Sequence, residues 1–537
     1  MGRNFTESEL RLGADPIWIL DLTLGGAVYR FATESTSIEG DGESYFYEGT
    51  LSDVDYSSAL EFVSPDFEMP SASVVVTFKA DLAKRIAQGL DFGSATAQLA
   101  LWIPATEYGK RQVLIEGRID APSYGAIGEP VTFSIEADWL RNTAIIPGAL
   151  QAIESSAWPN LADNSEGAVY PIIIGAPGRQ GFAGSPVYIA EDLGSGDRVG
   201  IVAAHFCTAS TVSVFEVKAD GSTPTIPDQS VASAIDASGT VYSYIPIPNA
   251  HFNSDASYFV AWDNGGGGLI NPYASGQADT GSVPQYLTGG GDLVRYLLHQ
   301  SGVKVDDGRC AAAASYLNFI QFDGFIGERT DVLEFLKTEI LPLLPCSLRA
   351  SAEGIYPVVW RYDASQDDAI ASLTADRDVF RDGLVNYASN EIANEITIRY
   401  RQNVRYNKLK KAVTVTGDLS KKTSGFLWRT VYAVTSQTRY GIKGLEIESE
   451  FITSRASAGR VVNWMARAHC GRHRLITYSA PQTYGWLEVG DVVSLSDSDL
   501  SFVNQLVLIQ SIAWGESDLT FEFLLVADLP RDTIPTG

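Results

Sequence analysis

Two histidines flank a cysteine in His469-Cys470-Gly471-Arg472-His473. On a helix, a spacing of four puts both imidazoles on one face, where they could hold zinc. A zinc site needs further ligands, yet the chain has no HExxH and no CxxC. Gly471 also weakens a helix at that point. The plainer reading is a helix end, because cationic side chains suit a helix C-terminus. Cys207, Cys310, Cys346 and Cys470 are far apart and read as reduced, mostly buried thiols. A four-cysteine cluster assembled in space is the alternative. The expectation is a protein with no metal and no cofactor.

The run Asp263-Asn264 followed by four glycines lacks the Lys-Ser/Thr that closes a phosphate-binding loop, and is expected to be a flexible loop. No GxSxG is present, so no nucleophile elbow is indicated. Asp306-Asp307 and Asp367-Asp368 are expected in polar loops. Adjacent residues on a strand face opposite ways, so neither pair is a natural acid/base couple. Nothing here marks an enzyme.

The strongest local anomaly is basic. Arg399, Arg401, Arg405, Lys408, Lys410 and Lys411 crowd one stretch, with Lys421 and Lys422 after it, in a chain of net charge −26. An exposed hairpin with a solvated face is one reading. A contact surface for an acidic neighbour, such as another copy of this chain, is the sharper one, and makes these six residues candidate protein-interface positions. Tyr400 and Tyr406 among the cations also allow nucleic-acid contact, against a repulsive background.

The elements around these residues are mainly strands. Leu20, Leu22 and Leu24 alternate with polar residues, Gly25-Gly26 turns the chain, and Val28 to Phe31 returns. Tyr45–Gly49, Val74–Phe78, Ala97–Ile103 and Gln112–Ile119 read as further strands, and Asp81–Gly89 as a short helix. Residues 165–288 show only strand-like runs, with Tyr170 to Gly175 a buried strand entered through proline. Helices are expected at Asp292–His299, after a cap at Thr330, and from Thr453 or Ser454 to His473. The end of the chain returns to β: a strand past Gly490-Asp491, a second from Gln505 to Ile512, and Leu519, Phe521 and Phe523 alternating with polar residues.

An echo links the two ends. Val113-Leu114-Ile115, Ile119 and Val131-Thr132-Phe133-Ser134-Ile135 parallel Val507-Leu508-Ile509, Ile512 and Leu519-Thr520-Phe521-Glu522-Phe523. Chance likeness of two hairpins is one explanation. An internal repeat, with one β-barrel-like fold at 16–145 and again at about 385–537, is the other.

A chain of 537 residues is too long for one core and should hold three or four domains. Boundaries are placed at 1–150 (β-domain), 151–288 (inserted β-rich domain), 289–384 (helical, α+β) and 385–537 (α+β). The expected class is mainly β with α+β parts: two tube-like β-barrel domains, an inserted β-domain and a small helical region. The charge of −26 argues against nonspecific duplex binding as the main role. No apolar run approaches the ~20 residues of a membrane span, and the start has no apolar signal core. Synthesis in a cytoplasm, without a membrane anchor, is expected.

The order of parts resembles the central hub proteins of phage tail tips and baseplates. The likeness rests on ILDLTLGGAVYRF, YFYEGTLSDV and QVLIEGRIDAPSYGAIGEPVTFSIEAD at the start. It continues in VYPIIIGAPG and in a long helix followed by RLITYSAPQTYGWLEVGDVVSLSDSDLSFVNQLVLIQSIAW. The resemblance implies a non-enzymatic virion protein: a homotrimer with two tube-like domains per chain under a sixfold tail tube. It further implies contact with a distal tail or tail-tube ring, a tape-measure protein and a central tail fibre, with DNA only in passage. The scattered cysteines depart from hubs that carry a metal-cluster domain, and residues 165–288 match no part of the family pattern. Two alternatives stay open: a distal tail or receptor-binding protein whose β-domain binds host surface glycan, and a multidomain β-rich hydrolase. A threefold particle points to a hub, a sixfold ring to a distal tail protein, and a monomer to an enzyme.

Overall fold

The computed structural model describes residues 16–40, 42–59, 71–90, 95–104, 106–119, 129–137, 144–148, 152–159, 161, 165–178, 184–192, 197–218, 225–236, 239–253, 256–262, 266–274, 285–351, 353–361, 364–383, 386–387, 392–400, 411–412, 427–432, 434–515 and 518–525. It is mainly β with α+β parts.

Leucine alternation builds the first strand, β1 (Ile17–Leu24): Leu20, Leu22 and Leu24 are fully buried. Gly25 and Gly26 both adopt positive φ, +56° and +80°, and return the chain as β2 (Ala27–Ala32). A small hairpin, β3 (Thr36–Gly40) and β4 (Glu43–Tyr47), lies across the outer face of β1. There Ile38 and Tyr47 join Ile17, Ile19 and Trp102 in a separate small core. β5 (Leu51–Ala59), β6 (Ser71–Thr77), helix α1 (Ala80–Ala87), β7 (Thr96–Trp102), β8 (Gln112–Ile119) and β9 (Pro130–Glu136) complete this half.

The middle of the chain holds its own sheet. β10 (Ser185–Asp192), β11 (Arg198–Ala203), β12 (Thr211–Val217), β13 (Thr225–Ser230), β14 (Ala232–Ile235), β15 (Val241–Ile247) and β16 (Ser257–Ala261) pair in the order β13-β12-β16-β10-β11-β15-β14. Val212, Val214, Ile245, Tyr258 and Trp262 form its core.

Helices α2 (Gly290–Gln300) and α3 (Asp307–Leu317) pack tightly: a Cβ on Gly291 would lie 2.3 Å from Ala314 Cα. The sequence reading placed Asp306-Asp307 in a loop. Asp306 instead caps α3, accepting the Arg309 backbone N–H at 3.0 Å, and Asp307 sits in the first turn. The next helix, α4 (Val332–Phe335), is capped by Asp331, not Thr330, and runs on as π and 3-10 turns to Leu343. Thr330 and Asp331 pair with Ile146 and Ile145 as a short ladder.

Asp307 fastens the two helices. It takes a charge-assisted pair from Arg295, 2.6 and 2.5 Å, and meets His299 Nε2 at 2.9 Å. The Arg295 hydrogen bonds, then His299, hold its carboxyl down to about 2 from an ordinary 3.8. A depressed carboxyl stabilises fully above its ordinary value, and loses that contribution as pH falls through 3.8 towards 2. The Asp307 side chain is half exposed, so Asp307→Asn should cost only about 0.5 kcal/mol at neutral pH. The deficit should shrink in urea titrations as pH falls towards 2; an unchanged deficit there would contradict the pairing.

Beyond a hairpin of β17 (Cys346–Ser351) and β18 (Gly354–Val359), two short strands follow, β19 (Ser372–Thr374) and β20 (Phe380–Arg381). A small sheet then gathers β21 (Glu395–Tyr400), β22 (Lys411–Ala412), β23 (Leu427–Tyr432) and β24 (Gly444–Ser449), after helix α5 (Val434–Tyr440). Helix α6 (Arg455–His469) is capped by Ser454 and buries Val461, Trp464, Met465 and Ala468. The last strands among the described residues are β25 (Arg474–Pro481), β26 (Val492–Asp497), β27 (Phe502–Trp514) and β28 (Asp518–Leu525).

The two ends of the chain form one sheet. Its main path is β2-β1-β7-β8-β9-β6-β5-β27-β28-β25-β20, with β26 pairing β27 and β19 pairing β26. Within it, β7-β8-β9-β6 and β26-β27-β28-β25 share one order when strands are matched along the chain. The echo seen in the sequence falls on these strands: Val113 to Ile115 on β8 and Val507 to Ile509 on β27, Phe133 on β9 and Phe521 on β28. Phe133 faces Val74 on β6, and Phe521 faces Tyr478 on β25. The likeness is in order more than in length. Among the described residues β8 meets β9 at Arg118↔Glu136 and Ile119↔Ile135, whereas β27 and β28 pair from Val507↔Leu525 to Trp514↔Leu519. The two halves meet where Tyr56 to Ala59 of β5 pair with Trp514 to Ser511 of β27.

Candidate functional site

Where those halves meet, a cleft of about 60 Å³ is lined by polar side chains from three regions. β5 supplies Tyr56, α3 supplies Arg309, and the β17–β18 hairpin supplies Arg349 and Tyr356. The loop before β26 supplies Glu488, and β27 supplies Trp514. Arg309 is positioned by its helix cap, since its Nε lies 3.1 Å from Asp306. Its two terminal nitrogens donate to Glu488 at 2.7 and 3.0 Å, and one also donates to the Tyr356 hydroxyl at 2.6 Å. Burial works against the Arg309 charge, but Tyr356 and Glu488 outweigh it and hold the pKa above its ordinary value. Arg349 donates to the Val489 carbonyl at 3.4 Å. Burial raises the pKa of both Tyr56 and Tyr356, so both hydroxyls stay neutral.

This arrangement is a lock rather than a reaction centre. Both Glu488 oxygens are engaged by Arg309, so neither is placed to take a proton from a substrate. The Glu488 backbone N–H donates to Asp491 (2.7 Å), and Gly490 turns at φ +92°. The Gly490-Asp491 step read from the sequence is therefore the turn that presents Glu488. Nothing local in the sequence signals the pairing of Arg309 with Glu488, because the partners come from distant elements.

The residues singled out for chemistry are dispersed. His469 ends α6 and Cys470 is its C-cap, while His473 lies beyond the helix, buried, with Nε2 2.6 Å from the Ala468 carbonyl. The two histidines therefore do not share a helix face, which corrects the spacing argument. Among the described residues no group of three or more His, Cys, Asp or Glu could hold a metal ion. Gly266, Gly267 and Gly268 are not a flexible loop but buried backbone. Gly268 N–H donates to Gly175 O at 2.8 Å, and a Cβ on Gly267 would lie 2.6 Å from that oxygen. Asp263, Asn264 and Gly265 lie outside the described residues. Asp367 and Asp368 belong to a 3-10 turn with a reciprocal cap from Ser365, and Asp368 takes Arg361 at 2.8 Å.

A Cys–His pair that spacing did not suggest sits at His205 and Cys207, 3.9 Å apart. The Ile173 N–H donates to His205 Nε2 at 3.0 Å, which leaves Nδ1 beside the Phe206 carbonyl. Burial pushes the imidazole down to about 4 and the thiol up to about 12, so both are neutral at physiological pH. That is the reverse of a thiolate–imidazolium nucleophile.

Of the basic stretch, Arg399 stands on β21 and pairs with Glu446 and with Glu448 (3.0 Å) on β24. Lys411 stands on β22, opposite Tyr400. Arg401, Arg405, Lys408 and Lys410, like Lys421 and Lys422, lie outside the described residues.

Residues 384–509, from before β21 through α6 into β27, match the family model described as a putative phage tail protein. That match spans less than a quarter of the chain. No curated protein matches it. Among solved structures it is similar to the tail protein from Neisseria meningitidis MC58, at 9% identity and a TM-score of 0.38, over 96% of this chain and 99% of that one. It is similar also to the 43 kDa tail protein of prophage MuSo2 from Shewanella oneidensis, at 12% identity and a TM-score of 0.38, over 95% and 100%. A chain of the native gene transfer agent virion matches at 16% identity and a TM-score of 0.40, over 70% and 89%. These are loose likenesses. Among the described residues no helix is long and apolar enough to cross a membrane.

Proposed function

We propose that the chain is a structural virion protein, the central hub of a phage tail tip, joining a sixfold tail tube to a threefold tip. The observation that carries this reading is the shared order β7-β8-β9-β6 and β26-β27-β28-β25, joined edge to edge through β5 and β27. Three such chains would offer six similar units to a sixfold ring, so that one gene product meets a geometric mismatch. The phage-tail segment at 384–509 supports the same reading.

In this role the chain forms a homotrimer and contacts a distal tail or tail-tube ring, a tape-measure protein and a central fibre. DNA passes without being held. Each chain carries −26; an acidic wall repels phosphate within a Debye length of ~8 Å at physiological salt. The basic residues Arg399, Arg401, Arg405, Lys408, Lys410 and Lys411 then face protein rather than the channel.

Native mass spectrometry with negative-stain imaging of the purified protein tests the reading. Three copies in a ring with six similar units is expected. A sixfold ring would favour a distal tail protein, and a monomer at all concentrations would remove the hub reading.

A further inference from the structure

The sheet has a gap at its seam. β5 pairs with β6 from Leu51 to Ser57, but among the described residues its other edge meets β27 at Tyr56 to Ala59 alone. Among the described residues no strand pairs with that outer edge from Leu51 to Asp55. The unpaired edge lines a cleft of about 730 Å³, which Trp18, Thr33, Glu34 and Gln482 also line. A row of free strand N–H and C=O groups is a template for another strand. Its charged side chains are acidic: Glu34 and Asp53 are both exposed and both line the cleft, and among the described residues no Lys, Arg or His lines it.

A slot of this kind selects an extended segment carrying positive charge. One such segment belongs to the chain itself. β21 and β22 pair at Arg399↔Ala412 and Tyr400↔Lys411, and residues 401–410 lie between them in the sequence. They carry Arg401, Arg405, Lys408 and Lys410 and no acidic residue. We propose that residues 401–410 of a second copy add along the Leu51–Asp55 edge of β5, their cations facing Glu34 and Asp53. This rests on the hub reading in taking the second copy as the partner, and it names the surface through which neighbouring copies engage. About five residues, ~17 Å of strand, fit the open edge.

The full-length chain tests this. A synthetic peptide of residues 400–411 should bind it in fluorescence anisotropy, and E34K/D53K should weaken binding at least tenfold. Both sites are exposed, so the variant should fold; E34Q/D53N is a milder check, expected to weaken binding in the same direction. In the full chain E34K/D53K and R405E/K408E should each impair self-assembly, and the four changes together should restore it. A trimer that forms normally with E34K/D53K overturns this proposal and leaves the hub reading standing. Peptide binding by a chain that stays monomeric removes the hub reading and keeps the slot. If a peptide of residues 1–15 competes as well as that of 400–411, the slot is filled by the residues preceding Pro16, and the proposal fails.

Discussion

Arg309→Met should lower the unfolding free energy by about 3 kcal/mol, the scale of a buried ion pair deprived of one partner. Methionine keeps much of the length and removes the charge. Glu488 and Asp306 would then stay in a half-buried site with no cation at 2.7 and 3.1 Å. The Tyr356 ring would lose the guanidinium that now lies 4.6 Å from its centre. Because Arg309 joins α3 to the loop before β26, the loss should appear in the cooperative transition and not as local fraying. Adding Glu488→Gln should recover part of it, since the uncompensated carboxylate is removed. Urea unfolding of the two variants and of Glu488→Gln alone gives the cycle. A loss below about 1 kcal/mol would mean that the pair behaves like an exposed one.

Trp514→Ala should cost about 3–5 kcal/mol, the range for deleting a large buried ring. Trp514 is 7% exposed, and its ring meets Trp18 edge to face at 5.7 Å. It stands on the last β27 residue, opposite Tyr56 of β5, so it holds one half of the sheet to the other. The position of Gly485 serves that ring: a Cβ there would lie 2.3 Å from it. Gly485→Ala should therefore also destabilise, by displacing the indole instead of deleting it. Chemical denaturation decides the matter. If Trp514→Ala costs no more than a typical surface change, the contact with Trp18 does not join the halves.

Much of the fold was legible because burial imposes its period on the chain. Leu20, Leu22 and Leu24, or Leu519, Phe521 and Phe523, could be read as strands because every second side chain enters the core. Ser454 was legible as a cap because a short hydroxyl side chain before an apolar stripe satisfies a free helix N–H. Helix α3 was not, because Ala311 to Ala314 give no contrast between faces: alanine fits either, and the helix is fixed by tight packing on Gly291. The joint was invisible for another reason. Pairing of β5 with β27, and of Arg309 with Glu488, joins residues with no local sequence relation, and neither partner is unusual alone. Gly266, Gly267 and Gly268 looked like freedom and proved to be close approach. Lack of a side chain serves both, and only neighbours such as Gly175 tell them apart.

The strand β27 also sets an order of events during synthesis. Its first half closes against β26, and its last four residues, Ser511 to Trp514, supply the neighbour that β5 lacks. While the ribosome is still making the middle of the chain, Tyr56 to Ala59 have emerged but their partner has not. The nascent amino-terminal half therefore waits with an open β-edge, the kind of surface on which incomplete chains stick to one another. The contact that closes this edge joins Tyr56 to Trp514, a separation of the kind that slows folding. A ribosome that stalls before Phe502 releases a product whose early half can never be completed, so damage to the end of the message is felt at its beginning.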